Sequence, residues 1–145
     1  NYDQQPLKAA GVNISTAICY EIAYPDLVAR NTRNTNIILT VSNDAWFGDS
    51  IAPYQHIQMA RMRAIENTKP VIRGTNNGIT AIIDHRGQII SQLDQFTSGV
   101  LTGEVIPYHG ETPFSKTASW QVVIFCLIII LGLVSYRLRI KFLGD

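Results

Sequence analysis

The sequence predicts an α/β domain followed by one membrane-spanning helix. Short β-rich runs alternate with helical stretches through most of the chain, and a hairpin pattern follows the last of these helices. An uncharged, apolar run lies near the C-terminus. We therefore divide the 145-residue chain into a soluble domain, a transmembrane helix and a cytoplasmic tail: 1–117, 118–136 and 137–145.

The first half of the soluble domain alternates between strand and helix. Pro25 is expected to start a helix, since proline suits the first helical turn. A continuous apolar run at 37–41 is typical of a strand that is covered on both faces. The next helix has its apolar residues near one face, at Ile57, Ala60, Ala64 and Ile65. The predicted order is strand 12–18, helix 26–33, strand 37–41, loop 42–50 and helix 53–67.

The second half of the domain is predicted to contain only strands. Asn76-Asn77-Gly78 is a turn signal after a short strand. His85-Arg86-Gly87 lies between two further strands, which is a hairpin pattern. A polar connector at 108–119 then leads into the apolar run. The predicted strands are 71–75, 79–84, 88–93 and 99–106.

The apolar run at 120–136 has the features of a transmembrane helix. Its 17 residues carry no charge, and Trp120 and Tyr136 stand where interfacial aromatic residues are expected. Arg137, Arg139 and Lys141 follow it closely, which predicts a cytoplasmic C-terminus and a soluble domain on the periplasmic or outer side. The alternative is a helix buried in the core of a soluble protein.

The composition argues against several classes of function. The formal net charge is only +1 and no basic stripe with interleaved aromatic residues is present, so nucleic-acid binding has little support. The three histidines and the one cysteine of the soluble part are not closely spaced, so no metal site is predicted. Cys126 lies inside the apolar run, which leaves Cys19 as the single cysteine of the soluble domain.

Cys19 is the first candidate for chemistry. It follows a β-rich run and precedes a predicted helix, a context that exposes a nucleophile on a sharp turn. The backbone N–H of Tyr20 would then point at a developing oxyanion, and Glu21 would position a base or a substrate amine. The alternative is an inert cysteine in the core, because buried cysteines are common.

Two polar turns and one histidine are further candidates. Asn43, Trp46 and Phe47 lie in the loop after the second strand of the α/β pattern, which suits a pocket. The alternative is a plain turn with Trp46 in the core. The Asn76-Asn77-Gly78 turn is either a site or an ordinary hairpin. His56 would form a dyad with Cys19 only if the two are close in space, and a solvated or capping histidine is the alternative.

Four segments together resemble a known superfamily, the nitrilase-like carbon–nitrogen hydrolases. The run from Ile18 to Glu21 is similar to the nucleophile motif of that superfamily. The remaining similarity lies in 42–48, 56–66 and 73–80. With the transmembrane helix that follows, the combination resembles one branch, the bacterial apolipoprotein N-acyltransferases. The implied fold is the C-terminal part of a nitrilase-like αββα sandwich followed by one transmembrane helix.

The resemblance implies acyl transfer. Enzymes of this branch move a fatty acyl chain from a phospholipid to the N-terminal amine of a diacylglyceryl-cysteine apolipoprotein, in the bacterial inner membrane and without a cofactor. Cys19 matches their nucleophile and Glu21 matches an acidic residue beside it. Trp46 and Phe47 match a loop near the lipid entry, and we include Asn43, Asn76 and Asn77 among the expected substrate contacts.

The chain departs from the family pattern by truncation. The resemblance implies a Glu–Lys–Cys triad whose Glu and Lys lie upstream of the nucleophile, and Lys8 is in no matching motif. We therefore expect a fragment of a longer, multi-span protein that is inactive alone. Two other functions stay open at this point: a membrane-tethered amidase of the same superfamily, in which water replaces the amine, and a non-catalytic, membrane-anchored module.

Overall fold

The computed structural model describes residues 4–143, and their centre is one six-stranded mixed sheet with strand order β1-β2-β3-β4-β5-β6. Two 3-10 turns, Cys19–Ala23 and Asp44–Phe47, follow β2 and β3. The strands are β1 Leu7–Ala9, β2 Val12–Ile18, β3 Ile37–Asn43, β4 Val71–Asn76, β5 Thr80–Ile83 and β6 Ile89–Leu93. The helices are α1 Pro25–Asn31, α2 Ala52–Asn67, α3 Pro113–Thr117 and α4 Trp120–Leu143.

The three central strands run parallel and end at the same edge of the sheet. β2 pairs with β3 and β3 with β4 in parallel, whereas β1, β5 and β6 add to the sheet in antiparallel fashion. The register aligns Ile18 with Val41, and Asn43 with Asn76. Because side chains at the carboxyl ends of parallel strands lie close together, this edge is where a site is expected.

Helices α1 and α2 cover one face of the sheet. Alternate strand residues point to that face and form the core with the inner side of α2. Ile57, Ala60 and Ala64 are buried there, as predicted. Ile65 is 49% exposed, so its assignment to the buried face is wrong. It stands one residue, or about 100°, beyond Ala64 on the helix and packs instead against the β5–β6 turn, where it approaches Gly87.

Most predicted elements are present, and one strand is not. The predicted hairpin is formed by β5 and β6, and the Asn76-Asn77-Gly78 turn joins β4 to β5. The predicted strand at 99–106 is wrong, because that segment has no strand conformation. A Cβ at Gly103 would lie 2.7 Å from Ile82 Cδ1. The segment therefore crosses over the sheet at this point, where its backbone cannot pair with an edge strand.

Helix α4 is longer than the apolar run that predicted it. It has 24 residues, and its window from Trp120 to Arg137 is long and apolar enough to cross a membrane, with no residue buried inside the structure. The backbone N–H and hydroxyl of Ser119, which precedes the helix, donate to Asp26 Oδ1 at 3.2 and 2.6 Å. The start of α4 is therefore attached to the first turn of α1. The division at 117 and 136 stays a prediction.

Candidate active site

The carboxyl ends of β2, β3 and β4 bring together three of the predicted site segments. Cys19 follows β2 directly, Asn43 ends β3, and Asn76 ends β4. The side chain of Asn76 donates to Asn43 Oδ1 at 3.3 Å, so these two amides lie side by side at the sheet edge. Three residues that are spread over almost sixty positions of the chain thus lie on one surface.

Cys19 is exposed on a sharp turn, so the alternative of an inert core cysteine is wrong. Its φ of +54° is a left-handed conformation that a residue with a Cβ rarely adopts. This conformation redirects the chain from β2 into the 3-10 turn. The hydroxyl oxygen of Ser42, on the neighbouring strand, lies 3.6 Å from Cys19 Sγ. The turn therefore presents the thiol to solvent next to a polar group of β3.

Glu21 closes this turn. Its carboxylate accepts the backbone N–H of Ile18 at 2.7 Å, which ties the end of β2 to the first residues after Cys19. The ring of Tyr20 is 53% exposed and meets Tyr24 edge-on, with the ring centroids 5.8 Å apart. Glu21 therefore stabilises the turn that carries the thiol, and the roles of Glu21 and of the Tyr20 N–H in the reaction remain predictions.

The loop after β3 presents one aromatic side chain outward and holds the next one inward. Trp46 is 87% exposed, so the alternative that it fills the core is wrong. Phe47 is half-buried and meets the ring of His56 edge-on at 6.2 Å between centroids. Asn43 Oδ1 accepts the N–H of Ala45 at 3.2 Å and so caps the turn. The loop therefore exposes an apolar side chain close to the carboxyl end of β3.

Asn76 and Asn77 lie at a second concave surface. They line a cleft of about 330 Å³ together with Leu93, at the end of β6, and Phe96, which follows β6. Asn77 has a φ of +56°, the left-handed conformation that asparagine tolerates better than most residues. The turn interpretation of this segment is therefore confirmed, and its contact with substrate remains a prediction.

A buried polar cluster lies beneath Cys19. Asp44, His56 and Arg73 are 0%, 3% and 1% exposed, and they come from the loop after β3, from α2 and from β4. Arg73 donates to Asp44 Oδ2 at 2.6 Å, and His56 Nδ1 lies 3.0 Å from Asp44 Oδ1. The other ring nitrogen of His56 lies 3.3 Å from the carbonyl oxygen of Cys19. This cluster connects the core to the nucleophile turn.

The electrostatics of the cluster are set by burial and by close partners. Burial raises the pKa of Asp44, but the hydrogen bonds from His56 and Ser42 and the charge of Arg73 outweigh it, so the pKa is lowered overall. Burial lowers the pKa of Arg73, and the nearby charges of Asp44 and Cys19 oppose that shift. Asp44 is therefore ionised at neutral pH, and Arg73 keeps its charge because a guanidinium does not lose its proton in proteins. In residues 4–143 no three histidine, cysteine, aspartate or glutamate side chains are grouped to hold a metal ion.

The sequence analysis did not predict this cluster, although its members have features that are visible in the sequence. Asp44 stands inside the loop that resembles the family. The alternative of a solvated His56 is wrong, because the imidazole is buried. Arg73 is a charged residue in β4, between two strands of the sheet, and such a position requires a buried partner.

Comparison with known proteins identifies the class to which the fold and this site belong. A family model described as carbon–nitrogen hydrolase matches residues 3–112. The chain therefore belongs to the carbon–nitrogen hydrolase family. This result agrees with the mixed sheet and with an exposed cysteine at the carboxyl ends of its parallel strands.

Within that family, the chain is similar to bacterial apolipoprotein N-acyltransferases. It is 50% identical over 127 residues to the one from Pseudomonas syringae pv. tomato, which covers 88% of this chain and 25% of that protein. It is 48% identical over 125 residues to the one from Photobacterium profundum, which covers 86% of this chain and 24% of that protein. The chain thus spans about a quarter of the length of these relatives.

Solved structures of the superfamily share the fold. An amidase of the nitrilase superfamily from Nesterenkonia superposes with a TM-score of 0.53 at 21% identity, over 64% of this chain and 38% of that one. A carbon–nitrogen hydrolase from Helicobacter pylori gives a TM-score of 0.57 at 13% identity, over 66% and 41%. At this level of identity the likeness concerns the fold alone.

Proposed function

We propose that the protein to which this chain belongs transfers a fatty acyl chain from a phospholipid to the N-terminal amine of an apolipoprotein, through a thioester on Cys19. One observation carries the proposal: Cys19 is exposed on a left-handed turn at the carboxyl ends of the parallel strands. The 50% identity to a relative named apolipoprotein N-acyltransferase supports this reaction over others in the superfamily.

The reaction proceeds in two acyl-transfer steps. The Cys19 thiolate attacks the ester carbonyl of the phospholipid, a C–S bond forms, the ester C–O bond breaks, and the lysophospholipid leaves with the proton that the thiol gave up. The apolipoprotein amine then attacks the thioester, so that a C–N bond forms, the C–S bond breaks and the amine proton returns to the sulfur. The family's Glu and Lys, which the resemblance places outside this chain, would serve as general base and oxyanion donor.

The residues around Cys19 have expected roles in these steps. The backbone N–H of Tyr20 would stabilise the oxyanion, a contribution of about 3 kcal/mol for a good donor. Glu21 supports the turn through its bond to Ile18. Trp46 and Phe47 would contact the acyl chain and exclude water from the thioester, which would otherwise be hydrolysed. The amides of Asn43, Asn76 and Asn77 are proposed to contact substrate.

Cysteine substitutions in the intact membrane protein test the reaction. Cys19→Ser should abolish both the acyl adduct on the peptide that spans residues 9–30 and the acylation of apolipoprotein, measured by mass spectrometry. Cys126→Ser is the matched control, because Cys126 lies in α4, and it should leave both unchanged. Normal apolipoprotein acylation by Cys19→Ser would refute the proposal. Release of free fatty acid with no acylated lipoprotein would favour the amidase alternative.

We also propose that α4 crosses the inner membrane with its C-terminal end in the cytoplasm and that Cys19 faces the periplasm. The length and hydropathy of α4 support a membrane span, and Arg137 and Arg139 at its end support the orientation. A membrane-impermeant maleimide should label Cys19 in spheroplasts. Labelling that requires disruption of the membrane would contradict this orientation.

A further inference from the structure

His56 uses both of its ring nitrogens, although it is not part of the proposed reaction. Nε2 lies 3.3 Å from the carbonyl oxygen of Cys19. A carbonyl oxygen only accepts hydrogen bonds, so Nε2 carries a proton and donates it. Nδ1 lies 3.0 Å from Asp44 Oδ1 and 3.2 Å from the Arg73 guanidinium. The Nε2–H donor is therefore present whether the imidazole is neutral or protonated.

The imidazole is fixed in place from several sides. Arg73 donates Nε–H to the carbonyl of Ile79 at 3.2 Å and a second N–H to Asp44 at 2.6 Å, so the guanidinium is held in β4. The rings of Phe47 and Tyr20 lie against His56 with centroids 6.2 and 6.3 Å away. A buried ring with these neighbours has little freedom to rotate away from Cys19.

The hydrogen bond to Cys19 has a geometric consequence for the next residue. The carbonyl of Cys19 and the N–H of Tyr20 belong to one peptide group, and no peptide bond within residues 4–143 is cis. In a trans peptide the C=O and N–H point in opposite directions. His56 holds the carbonyl toward the buried cluster, so the Tyr20 N–H points away from the core. That is the side on which the exposed turn presents the thiol.

We propose that His56 is a positioning residue of the acyl-transfer site, which holds the Cys19–Tyr20 peptide so that the Tyr20 N–H faces the oxyanion of the acyl intermediate. The inference rests on the proposed acyl transfer at Cys19. The left-handed turn at Cys19 is costly for a residue with a Cβ and persists only where surrounding contacts hold it. The Glu21 bond to Ile18 holds one side of the turn, and the His56 bond to Cys19 holds the other.

Two amide substitutions distinguish the role of His56 Nε2 from that of Nδ1. In His56→Gln the amide nitrogen can reach the position of Nε2 and donate to the Cys19 carbonyl. In His56→Asn the shorter amide reaches only the position of Nδ1, beside Asp44. His85→Asn is the matched control, because His85 stacks on Tyr108 and has no place in the proposed site. All variants are made in the intact membrane protein.

The rates of two reactions at the Cys19 thiol, acylation and alkylation, are then compared. Acylation by phospholipid passes through an oxyanion, whereas alkylation by iodoacetamide does not. His56→Asn should slow acylation about 10- to 100-fold, with the KM for phospholipid and the alkylation rate changed less than about threefold. His56→Gln should recover acylation to within about fivefold of wild type. A general structural role would instead reduce both rates together, and that outcome, or normal acylation by His56→Asn, would overturn the inference.

Two further results keep the inference separate from the proposed function and from folding. If Cys19→Ser acylates apolipoprotein normally, the proposed function fails; if Cys19 is required but His56→Asn is normal, only the positioning role fails. In the wild-type protein, the ¹⁵N resonances of His56, assigned from their loss in His56→Gln, should show a protonated Nε2. An unprotonated Nε2 would overturn the inference even where His56→Asn does not fold.

Discussion

The two faces of the sheet differ in how completely this chain covers them. On the face beneath α1 and α2, Ile38 is 0% exposed and the polar cluster of Asp44, His56 and Arg73 is almost completely buried. On the opposite face, Ile18 and Val41 are neighbours and remain 59% and 48% exposed. The difference shows that one face carries its own core and site support. On the other face the segment at 99–106 covers Ile82, whereas Ile18 and Val41 stay exposed within residues 4–143.

The strand that carries Val41 is apolar on both of its sides. Strand β3 alternates Ile38 and Thr40 toward the helices with Leu39 and Val41 away from them. Apolar residues on both sides of a strand are typical of a sheet that is covered twice. The family's two-sheet sandwich implies a second sheet against this face.

The largest expected effect comes from removing the buried carboxylate on the covered face. Asp44→Ala should lower the free energy of unfolding by about 3–5 kcal/mol, because it leaves Arg73 buried without its carboxylate partner. Denaturant unfolding of the intact protein measures this cost. Asp49→Ala is the matched control in the same loop, where the carboxylate is exposed, and it should change stability by less than about 0.5 kcal/mol. Equal costs for the two variants would contradict the buried ion pair.

The second prediction tests the cover on the opposite face. Val41 and Met62 are 48% and 49% exposed, but Met62 lies on the outer side of α2. If a second sheet covers the opposite face, Val41→Lys buries an unpaired charge and should cost about 2–3 kcal/mol in the intact protein. Met62→Lys should cost less than about 0.5 kcal/mol, since Met and Lys have similar helix propensities. A harmless Val41→Lys would mean that this face is open to solvent.

How much of this arrangement the sequence predicts depends on whether the signal is local. The alternation of strands and helices and the β5–β6 hairpin follow from periodicity and turn residues, and the structure confirms them. The strand at 99–106 fails because β-rich composition does not specify a partner. Gly103 crosses over Ile82 and does not join an edge of the sheet.

The site shows the same limit. The turn at Cys19 follows from neighbouring residues, a strand end and a helix start, and could be predicted. The cluster beneath it joins Arg73 to Asp44 over 29 positions and to His56 over 17. A single sequence does not reveal which distant polar residues neutralise one another. A charged residue in a buried strand indicates that a partner exists, but it does not identify that partner.

The third prediction compares two glycines at the end of β4. A Cβ at Gly78 would lie 2.8 Å from Asp44 Cβ, so Gly78→Ala should cost about 1–2 kcal/mol through overpacking. Gly74 lies beside Val41 on the opposite face, where a Cβ would meet only Val41 Cγ1 at 4.0 Å. Gly74→Ala should therefore cost less in denaturant unfolding. A larger cost at Gly74 would show that the covering layer approaches this strand more closely than Asp44 approaches Gly78.

The smallest expected effect concerns the Ser42 hydroxyl, which joins the end of β3 to Asp44. Ser42 Oγ donates to Asp44 Oδ1 at 2.6 Å and helps to lower the pKa of that carboxyl. Ser42→Ala should cost about 1 kcal/mol at pH 7. A lowered pKa in the folded state contributes stability above the unfolded value near 3.8, and this contribution is lost as the pH falls through the folded value.

The cost of Ser42→Ala should therefore shrink as the pH falls below about 4, because protonation of Asp44 weakens its hydrogen bond with the Ser42 hydroxyl. Ser50→Ala is the control: the Ser50 hydroxyl accepts the N–H of Ala52 at 3.3 Å, and no carboxylate of residues 4–143 bonds to it, so its cost should not change with pH. Denaturant unfolding between pH 7 and pH 3 measures both. A cost of Ser42→Ala that stays constant over this range would mean that the hydroxyl stabilises the strand end and not the Asp44 carboxylate.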